Sequence, residues 1–346
     1  MTDATRLLDI PVPVIQAPMG GGPSTPALAA AVCNAGGLGS LAGGYLNPDR
    51  LRDDIRQLRS LTSRPFAVNL FVPSPIDIDI DQVAIDAARA IVEPIRNELG
   101  LTPQPGRGPW AESFEDQLAV VVDERPALFS FAFGPLPAGA IGALDESGIL
   151  TMGTATNVSE AVTLAAAGST MVCAQGGEAG GHHGTWLAPS SESLIGTMAL
   201  VPLVCDAVDV PVVAAGGIMD GRGVAAALAL GAGAAQMGTA FLLCPEAGTV
   251  APHRRAVASA AETDVDTTTE VTGRLARGVR NELMRRLRGA QVPPYPVMNT
   301  LTSELRRAAA AQDNAELMSL WCGQAAPLAR SRPAAEIVRQ IAEDLA

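Results

Sequence analysis

Short, uninterrupted apolar runs recur along this chain, and most are followed by a longer amphipathic, alanine-rich segment. Eight of the runs predict strands, at residues 14–17, 37–41, 66–70, 128–132, 150–154, 171–175, 212–215 and 234–238. Their hydrophobicity is continuous rather than alternating, the pattern of a parallel sheet covered on both faces. Helices are predicted between them over residues 25–34, 48–61, 159–167, 193–208 and 221–230, several opening on a capping side chain: Ser24, Asn157 or Ser159, and Asp220. Eight alternating units point to an α/β fold of the (β/α)8 TIM-barrel type rather than an open doubly wound sheet.

Two stretches break the alternation. Residues 77–123 are too long for one helix and contain a Pro/Gly-rich piece at 102–109, which predicts an insertion on the barrel rim. Residues 245–307 mix short polar runs, Thr/Val-rich segments and a PPYP turn, and predict a small C-terminal cap over one barrel face. Residues 316–320 look like the start of a closing helix. The expected division is a barrel over 1–244, a cap or substrate subdomain over 245–307, and C-terminal helices over 308–346 that close on the barrel.

Composition narrows the function classes. A net charge of −12 over 346 residues argues against nucleic acid and anionic membranes as partners. No apolar run reaches the length of a membrane span, and residues 1–13 lack the form of a signal peptide. The five cysteines are dispersed without metal-ligand spacing, so no metal is expected and a cytoplasmic location is. There is no lysine, which excludes Schiff-base and P-loop chemistry. A charge-poor surface is compatible with a homodimer.

The densest chemistry lies in residues 170–186, TMVCAQGGEAGGHHGTW. An apolar strand ends in Gln175, and a glycine-rich loop then carries Glu178, His182 and His183, two of only three histidines. In parallel α/β proteins this strand end is where ligands and catalytic groups gather. Adjacent loop residues point in different directions, so at most one histidine is expected to face the pocket. Glu178 is either an orienting partner or a solvated charge. In the last two units, Gly216-Gly217 and Gly238-Thr239 follow strands and offer backbone N–H groups and one hydroxyl, as phosphate sites do. The first unit ends in Met19 and three glycines from Gly20, which would let a planar ring lie against backbone. Asn69 and Gln175 could read the polar edge of such a ring or merely bridge neighbouring loops.

With these residues assembled, the chain resembles the nitronate monooxygenases, formerly called 2-nitropropane dioxygenases. The motifs that carry the resemblance are QAPMGGG, AGGLGSLAGGY, FAVNLF, AQGGEAGGHHGT, VPVVAAGGI, QMGTAF and PYPVMNTLTSELR followed by ELMSLWCGQ, spread from about residue 10 to residue 330. The resemblance implies an FMN-dependent enzyme that oxidises nitronates or nitroalkanes with oxygen to a carbonyl compound and nitrite. It implies FMN contacts from Asn69, Gln175, Gly180, Gly217 and Gln236-Met237-Gly238-Thr239, with Gly181 and Gly216 counted beside them. It implies that the Met19–Gly20 backbone faces the isoalloxazine. His182 falls on the catalytic histidine, a general base toward neutral nitroalkanes, and His183 and Tyr295 are assigned to the substrate. Some relatives carry a lysine after the PYP motif. Here Arg306 or Arg307 stands in that region as the anion anchor.

Two other functions are compatible with parts of this pattern. A flavin-dependent enoyl-ACP reductase shares the AGGLG and GGH segments and FMN, but would use NAD(P)H. A non-catalytic FMN-binding accessory protein would need the phosphate loops without the histidine. HHGTW and SLWCGQ favour the monooxygenase.

Overall fold

A computed structural model describes residues 2–73, 82–102, 108–189 and 192–346. Eight parallel strands run at Val14–Gln16, Gly39–Ala42, Phe66–Phe71, Leu128–Ala132, Leu150–Ala155, Met171–Gln175, Val212–Ala215 and Ala234–Met237. From the second to the eighth, each pairs with its sequence neighbour, and the first pairs with the eighth. The bridge between Ile15 and Leu38, with Gln16 N–H donating to Leu38 O at 2.8 Å, joins the first strand to the second and closes a (β/α)8 barrel. All eight predicted runs are therefore strands, with ends moved by no more than two residues.

The helices form where spacing and caps coincide. Pro48–Leu61 opens with the Asn47 side chain accepting from Arg50 N–H and Pro48 in the first turn, and it buries Leu51, Ile55 and Leu58 on one stripe. Three expectations need correction. Helix Pro26–Asn34 is capped by Thr25, because the Ser24 hydroxyl is taken by Met19 N–H and the Gln16 amide. The predicted helix over 193–208 is only Thr197–Cys205, and His183 occupies the Ser193 carbonyl ahead of it. Residues 316–320 hold one 3-10 turn, Ala315–Leu317, and the closing helix is Ala334–Asp344.

Three clusters make the core. The barrel interior holds Ile15, Leu38, Met152, Met171 and Val213, plugged at its lower end by Ala4, Leu8 and Ile10 of the N-terminal segment. The largest cluster lies between the strands and the outer helices. A third packs helix Gln82–Glu98 and helix Val297–Ala311 around Leu283, Met284, Leu287, Leu317 and Leu320. The first of these helices comes from the 77–123 stretch, of which residues 77–81 and 103–107 lie outside the described residues. The second runs through residue 307. Among the described residues no helix is long and apolar enough to cross a membrane.

Beside the barrel stands a small antiparallel sheet of Val265–Thr268, Ala276–Val279 and the two residues Gly181–His182. His182 pairs with Ala276 and Gly181 with Arg277. The loop after the sixth barrel strand is therefore a strand of the cap, and His182 is mounted on the cap sheet.

Candidate active site

His182 is half-buried at the carboxyl end of the barrel, and its Nε2 lies 2.9 Å from the Thr272 hydroxyl. Nδ1 has no hydrogen-bond partner among the described residues and is not among the sealed polar atoms. Rings surround the imidazole: Tyr295 at 5.3 Å, Trp321 at 6.0 Å and Phe133 at 6.1 Å between centroids. Phe71 stacks on Phe133 at 4.6 Å and meets Tyr45 edge-on at 5.4 Å. The chain has only two tyrosines, seven phenylalanines and three tryptophans. Both tyrosines and three of the others gather here, so an aromatic-poor protein concentrates its rings around one histidine. Phe133 is held at φ 82°, a left-handed conformation that costs a bulky residue roughly 1–3 kcal/mol. Its stacking on Phe71 and under Arg274 holds it there.

Arg274 lies with its guanidinium 3.8 Å from the Phe133 ring centroid. It donates to the carbonyl oxygens of His183 and Thr185. Arg306 donates to Thr302 O, Asn299 and Ser319 Oγ. Neither forms an ion pair among the described residues, and burial pulls both down to about 10, still charged at neutral pH. Burial, then Arg274, then Arg306 push His182 down to about 3. Of the two arginines after PYP, Arg306 acts on the site, whereas Arg307 is exposed. A ring-lined chamber with two cations outside any ion pair among the described residues and a neutral imidazole is built to receive an anion.

His183 is not in this chamber. It is buried, with Nε2–H donating to Ser193 O at 2.9 Å and its own N–H to Leu275 O at 2.8 Å. Expected at the substrate, His183 instead braces the loop in this structure. Tyr295, in contrast, packs on His182, Phe133 and Phe71. Gln175 also spends its amide on the loop, accepting from Gly184 N–H at 2.7 Å and donating to His182 O at 3.2 Å. Glu178 receives Thr197 N–H and Oγ1–H, capping a helix whose own Gly196 has no side chain to do so.

The glycine-rich ends of the seventh and eighth strands form a cradle. The pairing of Ala215 with Gln236 sets Gly216-Gly217 beside Met237-Gly238. Gly216 and Gly217 adopt φ 111° and 71°. The amides of Gly216, Gly217, Gly238, Thr239 and Ala240 donate to no acceptor among the described residues. Thr239 Oγ1 accepts from Gly323 N–H at 2.8 Å, which leaves its own proton to donate. Next to the cradle, a Cβ on Gly180 would sit 2.4 Å from the Cys322 carbonyl carbon, so glycine is required where the CGQ segment packs on the loop. Asn69 donates to Ser130 O and Oγ, and its Oδ1 has no donor among the described residues. Met19 N–H is tied to Ser24, and a Cβ on Gly20 would press on the Tyr45 ring at 3.1 Å.

Sequence reasoning missed Arg274, Thr272, Phe133, Tyr45 and Glu160. Glu160 is fully buried and accepts from Thr156 N–H and Oγ1–H, Thr185 Oγ1–H, Trp186 N–H and Leu187 N–H, which pins the end of the histidine loop. The Asn157-x-x-Glu160 spacing was its visible signal.

All three histidines are buried or half-buried with lowered pKa values, His182 to about 3 and His253 to about 4, with burial the main cause in each. The unfolded chain, with histidines near 6.5, therefore binds more protons than the folded one below that pH. The stability that these neutral rings contribute is full above about pH 6.5 and falls as pH drops toward 4. Thermal unfolding at pH 7 and pH 5 should show a lower Tm at pH 5; an unchanged or higher Tm would contradict the burial of these rings.

A family model described as Nitronate monooxygenase matches residues 2–344. The chain is 44% identical to a nitronate monooxygenase of Pseudomonas aeruginosa, over 100% of this chain and 99% of that protein. It resembles the solved structure of nitroalkane oxidase from Streptomyces ansochromogenes with a TM-score of 0.91 and 42% identity, covering 99% of this chain and 97% of that one. FabK from Thermotoga maritima matches less closely, at a TM-score of 0.77 and 30% identity over 99% and 96% of the two chains.

Proposed function

The chain belongs to the nitronate monooxygenase family, whose members are oxidoreductases, and on that premise we propose that it binds FMN and oxidises alkyl nitronates with oxygen to a carbonyl compound and nitrite. The observation that carries this reading is the pairing of an anion-seeking chamber around His182 with a backbone cradle on the adjacent strands. The residues fit FMN. Gly216, Gly217, Gly238, Thr239 and Ala240 would donate to its phosphate. The Asn69 amide oxygen would face its ring edge, and the Met19–Gly20 backbone its ring face. Gln175, Gly180, Gly181, Gln236 and Met237 line or brace the same wall. Bound there, FMN supplies the redox chemistry.

The protein's own contribution is charge, an aromatic surround and one proton acceptor. Arg274 and Arg306 draw the nitronate anion into the aromatic chamber, and Tyr295 packs against the same imidazole. A neutral nitroalkane entering the chamber would lose its α-proton to the open nitrogen of His182. Burial and then the two guanidinium charges disfavour the protonated imidazole, and the nitronate charge that develops offsets the second of these. Steady-state assays with propionate 3-nitronate test this reading. Oxygen uptake accompanied by nitrite release supports it, and absence of nitrite at saturating nitronate overturns it.

A further inference from the structure

The Thr272 hydroxyl is fully buried and has two neighbours, Arg274 O at 3.1 Å and His182 Nε2 at 2.9 Å. A carbonyl oxygen can only accept, and a hydroxyl carries one proton. We propose that Thr272 is a positioning residue that sets the tautomer of His182: its proton goes to Arg274 O, its oxygen accepts from His182 Nε2–H, and Nδ1 is left as the proton-accepting nitrogen toward substrate. The proposal deepens the reading of His182 as a base and rests on it.

The opposite tautomer would turn the Thr272 proton onto Nε2 and strip Arg274 O of that donor in the interior. Arg274 cannot readily move to compensate. Its guanidinium is held by His183 O and Thr185 O and lies on Phe133, while Ala276, two residues on, is registered with His182. The other two histidines show the contrast. His183 and His253 each donate Nε2–H directly to a carbonyl, of Ser193 and Trp321. Among the described residues, only His182 is fixed through a hydroxyl whose direction a third group decides. In the step this serves, the C–H bond beside the nitro group breaks and its electron pair stays on the substrate as the nitronate. The proton forms a bond to Nδ1, Nε2–H stays on Thr272, and the Nδ1 proton later leaves to solvent.

The test uses flavin-loaded protein labelled with 15N-histidine, with His182 signals assigned by their loss in His182→Asn. Long-range 1H–15N correlations should show the Nε2–H form in the wild type and in Thr272→Ser. Thr272→Val should shift His182 toward Nδ1–H and lower the rate with neutral nitroalkanes at least about tenfold, with a smaller loss on pre-formed nitronate and recovery in Thr272→Ser. An Nδ1–H wild type overturns the proposal, as does a Thr272→Val protein with unchanged tautomer and rates. If Thr272→Val fails to fold, the wild-type and Thr272→Ser spectra still decide. Full nitroalkane activity in His182→Asn would instead sink the base reading, while the spectra continue to report the tautomer.

Discussion

His182→Asn is expected to lower turnover of neutral nitroalkanes by roughly 10²-fold or more, the usual scale for losing a general base, while flavin content stays near normal. Asparagine suits the test because it removes the proton-accepting ring while the backbone pairing of Gly181 and His182 with Arg277 and Ala276 still holds the loop to the cap. Pre-formed nitronates need no deprotonation, so their loss should be smaller. His183→Asn should change either rate only modestly, because that ring donates to Ser193 O outside the chamber. Its cost belongs to stability. The pH profile adds a second check. With the free-enzyme His182 held down to about 3, kcat/KM for a neutral nitroalkane should show no acid limb from His182 between pH 5 and 7. Equal, small effects of both substitutions, or a limb near 6.5 that His182→Asn abolishes, would contradict the assignment.

Gly238→Asp is expected to yield colourless, destabilised protein. The loss should come from charge and not from crowding. A Cβ on Gly238 would meet Ala17 Cβ at 3.5 Å and Met19 Sδ at 3.7 Å, ordinary contacts, and Gly238 has φ −107°. Gly238→Ala should therefore keep its flavin, whereas the carboxylate of aspartate would face a phosphate among amides that have no other acceptor among the described residues. Flavin absorbance per protein after desalting measures both variants. Full flavin in Gly238→Asp would move the phosphate elsewhere. Loss in Gly238→Ala would make the site a matter of packing.

The barrel was legible because its strands are buried on both faces, so each appears as an unbroken apolar run such as MVCAQ or VVAA. Its ends were less so: whether Ser24 or Thr25 caps a helix depends on Met19 and Gln16 reaching back to Ser24, which no local pattern records. His182 could be found from the glycine loop that carries it. The groups that decide its chemistry could not. Thr272 and Arg274 sit in a polar, irregular stretch of the cap and reach the barrel only because the cap sheet takes in Gly181–His182 as a strand. Phe133 reaches its place through a left-handed backbone that periodicity does not reveal. Gln175 illustrates the reverse limit. A polar residue at a strand end suits ring recognition and loop bracing equally, and its amide turned out to hold Gly184 and His182.

Under the proposed function, the chamber would hold a nitronate beside a bound flavin that takes its electrons without a nicotinamide. Its most direct test is anaerobic mixing of flavin-loaded protein with propionate 3-nitronate and, separately, with NADPH, followed at the flavin absorbance band. Stoichiometric bleaching by the nitronate is expected, with slow or no bleaching by NADPH. Rapid bleaching by NADPH with none by the nitronate would point to a reductase of carbon–carbon double bonds, and bleaching by neither would mean a flavin-binding protein without this chemistry; each result would contradict the account.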